Sequence, residues 1–222
     1  MQVLKIPTIW RSGLLDAVAS VMVVAALAAA LVLAPTESTM GPAQRIVYVH
    51  VAVAWLSLAN FVVVAAAGAM YLLRRNLAWD QWSQAAAELG WLAATLTLVT
   101  GSLWARAAWN VWWTWDPRLM TAFVLWAIYS AYLLLRGSVE EAYLRARLAA
   151  VLAILGLLDV PLVVMATRWF RGIHPVSPKM EPSMRLVLLA TVVGFSALFA
   201  LLLARRRTQL QAEAFLAADE ED

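Results

Sequence analysis

Residues 104–118 read WARAAWNVWWTWDPR. Trp104, Trp109, Trp112, Trp113 and Trp115 crowd into this stretch, against twelve tryptophans in the whole chain. Tryptophan ordinarily stands singly, at the rim of a core or at a membrane interface. Trp109, Trp112 and Trp113 have i, i+3, i+4 spacing, so a helical turn through them would put all three rings on one face. Trp115 and Asp116 follow at once. The expected product is a slab of indoles ending in a carboxylate, a surface suited to a flat aromatic ligand. A membrane-interface anchor is the competing reading of the same residues. Asp116-Pro117 also reads as a helix start, with Asp as N-cap and Pro in the first helical position.

Apolar runs flank this stretch at 85–103 and 119–135, and four more occur at 14–33, 46–73, 148–166 and 186–204. Each falls near or above the length that crosses a bilayer as a helix. At 64% hydrophobic and 14% charged residues, a soluble domain would expose far too much apolar surface. The sequence therefore predicts an all-α integral membrane protein of six transmembrane helices, forming one domain over 1–222. The first run is longer than the core of a signal peptide and five more follow, so it is read as retained. Between the runs lie a polar turn after Pro35, the connection NLAWDQWSQ at 76–84, a charged turn around Glu140 and Glu141, and an outer loop at 168–185. A short acidic tail occupies 208–222.

An even number of crossings puts both termini on one side. Lys5, Arg11, Arg74, Arg75, Arg136, Arg145, Arg147, Arg205, Arg206 and Arg207 fall on that side, ten of the 17 Lys and Arg residues. The excess predicts cytoplasmic termini. The seven on the other side (Arg45, Arg106, Arg118, Arg168, Arg171, Lys179 and Arg185) suggest an anionic ligand or partner there.

The same topology brings the only two histidines, His50 and His174, to the outer side with the tryptophans. Ala54 and Ser57 share the helical face of His50 and leave room beside its imidazole. Two imidazoles can supply both axial ligands of a haem iron. A wall of indoles can shield the macrocycle, and arginines can clamp its two propionates. Proximity nominates Arg118, Arg168 and Arg171 for that clamp. The absence of cysteine excludes disulfides, Cys-ligated zinc or iron–sulfur sites and thioether attachment, so any haem is held non-covalently, as haem b. No basic patch of nucleic-acid type occurs. No GxxxxGK[ST] loop occurs, so ATP use would belong to a partner. Asp159, inside the fifth run, is a functional candidate by default. The favoured reading is that it bonds a neighbouring helix where Pro161 interrupts the backbone ladder.

These residues carry a resemblance. The Trp-rich "WWD" segment at 109–116, His50 at the head of the second span, His174 in the last outer loop, Tyr48-Val49-His50 and Arg168-Trp169-Phe170-Arg171 are similar to the CcmC family. Its members are haem-handling WWD-domain proteins of system I cytochrome c maturation. The likeness covers nearly the whole chain. It implies that His50 and His174 are the axial ligands of the haem iron, and that Trp104, Trp109, Trp112, Trp113, Trp115 and Asp116 form the platform facing it. It also implies association with an ABC-type ATPase, a second membrane subunit and a one-span small subunit in a bacterial inner membrane. Haem would pass to a periplasmic, membrane-anchored haem chaperone. Two positions depart from the family pattern: Asn110 and Ala105 stand where glycines are expected. Asn enters left-handed backbone more readily than most residues, which would preserve the turn. The function implied is haem presentation at the outer face, without enzymatic turnover. The alternatives are a b-type membrane electron carrier, a permease subunit and a scaffold anchored by its tryptophans.

Overall fold

The computed structural model describes residues 13–170, 172, 174 and 180–220. Among these, six helical spans are long and apolar enough to cross a membrane: Gly13–Leu33, Pro42–Arg74, Leu77–Trp109, Pro117–Ser138, Ala142–Trp169 and Pro182–Ala217. The chain is an all-α, multi-pass membrane protein, as its apolar runs predict. We label its helices α1 (Gly13–Ala28), α2 (Ile46–Arg74), α3 (Leu77–Trp109), α4 (Pro117–Ser138), α5 (Ala142–Leu157), α6 (Asp159–Trp169) and α7 (Pro182–Glu220).

The helices outrun their apolar stretches. At about 1.5 Å per residue, the 39 residues of α7 span about 58 Å, against a hydrocarbon layer of about 30 Å. The expected polar connection at 76–84 is a correction. Only Arg75 and Asn76 turn the chain, Arg75 in left-handed backbone (φ 54°), and α3 starts at Leu77. Asn76 caps the helix by accepting from the Ala78 amide at 2.9 Å. The polar residues beyond it form an inner cap instead of a loop. Asp80 and Gln84 take the Arg136 guanidinium from α4. The acidic tail is helical, because α7 continues unbroken through 208–220. Arg206 holds it to α3 by pairing with Glu88 at 2.6 Å, and Arg205 pairs with Asp16 of α1.

Packing centres on α2, which lies along α3 and contacts α5 and α7. The inner core gathers Phe61 and Val64 of α2, Ala86 and Ala87 of α3, and Tyr129 and Tyr132 of α4. Phe61 and Tyr129 stack with centroids 3.6 Å apart. Small residues allow close backbone approach where apolar burial alone gives little drive for association. A Cβ on Gly68 would lie 3.2 Å from Ala150 Cα of α5, and one on Gly194 would lie 3.1 Å from the Met22 carbonyl of α1.

The fifth span breaks between α5 and α6. Pro161 offers no N–H to the Leu157 carbonyl, and α6 restarts at Asp159. Asp159 is buried, and among the described residues its Oδ2 has no hydrogen-bond partner, so the expected bond to a neighbouring helix is not seen there.

Candidate functional site

Residues of α2, α3, α4 and α6 line a cleft of about 850 Å³, counting the part open to solvent, at the end of the bundle where α2 begins and α3 ends. His50 projects from the second turn of α2 and is only 9% exposed. It meets three residues of α3. Thr100 Oγ1 lies 3.0 Å from Nδ1, the ring centre of Trp104 is 6.2 Å away, and a Cβ on Gly101 would come within 3.0 Å of Cε1. His174 approaches from the outer loop. Its ring centre is 6.4 Å from that of His50, with the two planes at 44°. Trp104 stands edge-on to His174 at 6.3 Å and leans on Trp109 at 5.0 Å. One indole therefore backs both imidazoles. Ala54 and Ser57 line the cleft beside His50, as their register predicts.

The Trp-rich segment differs from expectation. α3 ends at Trp109, and Asn110 turns the chain in left-handed backbone (φ 59°) with its N–H on the Arg106 carbonyl. Residues 111–116 are not helical. The single helical face through Trp109, Trp112 and Trp113 is thus a correction: the rings reach the cleft from a helix end and from an extended segment. The segment is pinned where Ser102 Oγ donates to the Trp112 carbonyl at 2.7 Å. The Arg106 guanidinium lies 5.7 Å from the Trp112 ring centre. Trp109, Trp112 and Trp113 all line the cleft, whereas Trp115 does not. Trp115 is 73% exposed and meets Trp113 edge-on.

Asp116 does what its place before Pro117 suggests. Its Oδ1 accepts from the Arg118 and Leu119 amides at 3.0 and 3.1 Å, closing the first turn of α4. Its Oδ2 accepts from Thr114 at 3.1 Å. Asp116 lines a smaller adjoining crevice with Arg118 and His174 rather than the main cleft. Arg118 borders both, and its guanidinium donates to the Val163 carbonyl of α6 at 2.7 Å. Arg168 is exposed on the last turn of α6, outside the cleft lining. Arg171 lies outside the described residues.

Two indole N–H groups in the cleft wall, Trp104 Nε1 and Trp113 Nε1, are buried without a partner among the described residues. Among the described residues no three His, Asp or Glu side chains converge to hold a bare metal ion. Two facing imidazoles in an aromatic cleft suit a metal that brings its own equatorial ligands.

Sequence reasoning missed Thr100 and Gly101, which lie against His50, and Thr97, which lines the cleft with Gly101. Thr97, Gly101 and Trp104 share one face of α3 at i, i+4 and i+7, a small-and-polar stripe within an apolar run. That stripe was the available signal. Gly101 yields a prediction. Alanine there places a methyl group against the imidazole, so the ring must shift by a few tenths of an ångström. Gly101→Ala is expected to lower ligand retention in the cleft while leaving the melting temperature within a few degrees of wild type. Spectral titration beside a thermal melt checks both.

Fold and site together define a multi-pass membrane protein with a histidine–tryptophan cleft at one end of the bundle. Residues 6–218 match the family model described as "Heme exporter protein C". A "Heme exporter protein C" of Bradyrhizobium diazoefficiens is 32% identical over 186 residues, covering 80% of this chain and 71% of the relative. Another, from Rhodobacter capsulatus, is 31% identical over 197 residues, covering 85% and 81%. A "Putative cytochrome c biosynthesis ccmC-like mitochondrial protein" of Marchantia polymorpha is 31% identical over 144 residues, covering 65% of this chain and 60% of that longer relative. The chain belongs to the Heme exporter protein C family.

Proposed function

We propose that this protein binds haem at the outer face of a bacterial inner membrane and hands it on for cytochrome c maturation. Family membership supports haem handling. The separation of His50 and His174 carries the finer reading. Two imidazoles on opposite sides of one metal, each bonded at about 2 Å, have ring centres about 6 Å apart. The observed 6.4 Å fits that requirement. His50 and His174 would then be the axial ligands, with haem b held non-covalently. Trp104, Trp109, Trp112 and Trp113 would wall the macrocycle. Among the described residues, Arg118 is the cationic side chain best placed for a propionate, because it borders the cleft. Asp116 sets the backbone of the segment above it.

Haem is cargo in this reading, and the chain's own residues bind and orient it without catalysing its conversion. The exposed indoles of Trp112 and Trp115 offer a docking surface to a membrane-anchored, periplasmic haem chaperone. Power from ATP, where the process needs it, comes from an ABC-type ATPase with its second membrane subunit. A one-span small subunit completes the assembly. The cleft side is periplasmic and the termini cytoplasmic, following the distribution of basic residues.

The test is purification in detergent from haem-replete cells, followed by absorption spectra in oxidised and reduced forms. The expected result is near-stoichiometric b-type haem with the sharp reduced bands of six-coordinate iron. Protein that is folded but free of haem, and that fails to take up added haem, would refute the proposal.

A further inference from the structure

The hydroxyl of Thr100 makes two short contacts, 2.7 Å to the Leu96 carbonyl one turn back along α3 and 3.0 Å to Nδ1 of His50. A hydroxyl has one proton to give. The carbonyl can only accept, and two oxygens 2.7 Å apart with no hydrogen between them would repel. The Thr100 proton therefore belongs to Leu96, and a lone pair of Oγ1 faces the imidazole. Nδ1 must then supply the proton in the second contact. The Thr97 carbonyl, 3.3 Å from the same hydroxyl, is a further acceptor and cannot donate. Gly101 crowds the ring from a third side, since a Cβ there would lie 3.0 Å from Cε1.

We infer that Thr100 is the positioning residue for His50: its hydroxyl holds the imidazole as the Nδ1–H tautomer and leaves Nε2 with a free lone pair. In neutral imidazole, the hydrogen bond at one nitrogen decides which nitrogen is available to a metal. A free histidine side chain favours the proton on Nε2, so α3 reverses the ordinary preference before any ligand arrives. Nδ1–H bonded to a fixed acceptor also orients the ring plane and increases the basicity of the opposite nitrogen. The consequence for haem rests on His50 being an axial ligand, as proposed above. The tautomer itself is a property of the ligand-free protein.

The test separates the two. Full-length protein labelled with ¹⁵N-histidine is prepared haem-free in lipid nanodiscs, and the imidazole nitrogen shifts are read by NMR. His174→Gln leaves His50 as the sole signal and so assigns it. The expected spectrum has protonated Nδ1 and unprotonated Nε2, moving toward Nε2–H in the isosteric Thr100→Val and returning in Thr100→Ser. A wild-type His50 protonated on Nε2 would overturn the inference without need of any variant. So would a Thr100→Val spectrum identical to wild type. In haem-loaded protein, Thr100→Val should weaken retention by about 10–100-fold, the usual cost of losing such a partner, with Ser restoring most of it. If the tautomer behaves as stated but His50→Ala leaves the haem spectrum unchanged, the ligand reading fails and the Thr100 assignment stands.

Discussion

His50→Ala and His174→Ala are each expected to turn a six-coordinate, low-spin haem into a five-coordinate or solvent-ligated, high-spin one. Retention should fall by more than the about 10–100-fold that loss of a supporting partner costs, because on the proposed ligation the ligand itself is removed. The two effects should be unequal. His50 sits on α2, a 29-residue helix packed along most of the bundle, and its ring is boxed by Thr100, Gly101 and Trp104. His50→Ala should therefore leave little haem. His174 borders the part of the cleft that opens to solvent, where water or an added small ligand can enter in place of the lost imidazole. His174→Ala should therefore retain more haem than His50→Ala, with a spectrum sensitive to added imidazole. Haem content by pyridine haemochrome and spin state by EPR decide the matter. Low-spin signals surviving in both variants would remove these residues from the iron.

Much of this arrangement was legible in the chain. The six apolar runs, the place of His50 just inside a span, and the Asp116-Pro117 helix start rest on length and local chemistry, which sequence reports directly. Asn110 is a sharper case. An Asn where glycine is expected still permits a left-handed turn, and φ at that position is 59°. What stayed hidden has a common cause. Periodicity showed that Trp109, Trp112 and Trp113 could share a helical face, but it did not show that the helix stops at Asn110. The rings converge because α3 ends and an extended segment folds back, a tertiary fact. The polar residues after Asn76 looked like loop because their partner, Arg136, is 56 positions away. Thr100 was silent for the same reason: its significance is a contact with residue 50, across the α2–α3 pair.

That distant partnership supplies the largest stability effect. Asp80 and Arg136 form a two-pronged pair at 2.7 and 2.8 Å, with side chains only 9% and 6% exposed. Gln84 takes a further guanidinium proton at 2.6 Å, and the Tyr132 ring lies 5.8 Å from the same group. Removing one member strands the other charge away from water, at about 3–5 kcal/mol. For a chain of this size that corresponds to a fall in melting temperature of roughly 6–20 °C. Asp80→Asn and Arg136→Met should both show it. The double variant Asp80→Leu/Arg136→Met should recover most of the loss, because neither charge is then left alone. Arg206–Glu88 provides the contrast. Its side chains are about 30% exposed, so breaking it should cost no more than about 1 kcal/mol. The location of the inner pair matters for the cleft. It ties the inner ends of α3 and α4, the two helices whose outer ends frame residues 110–116. Loosening it should lower the melting temperature of the haem-bound protein while leaving the folded protein's haem spectrum unchanged. A melt insensitive to Asp80→Asn would mean that water already reaches this pair, and the inner ends of α3 and α4 would need another explanation for their alignment.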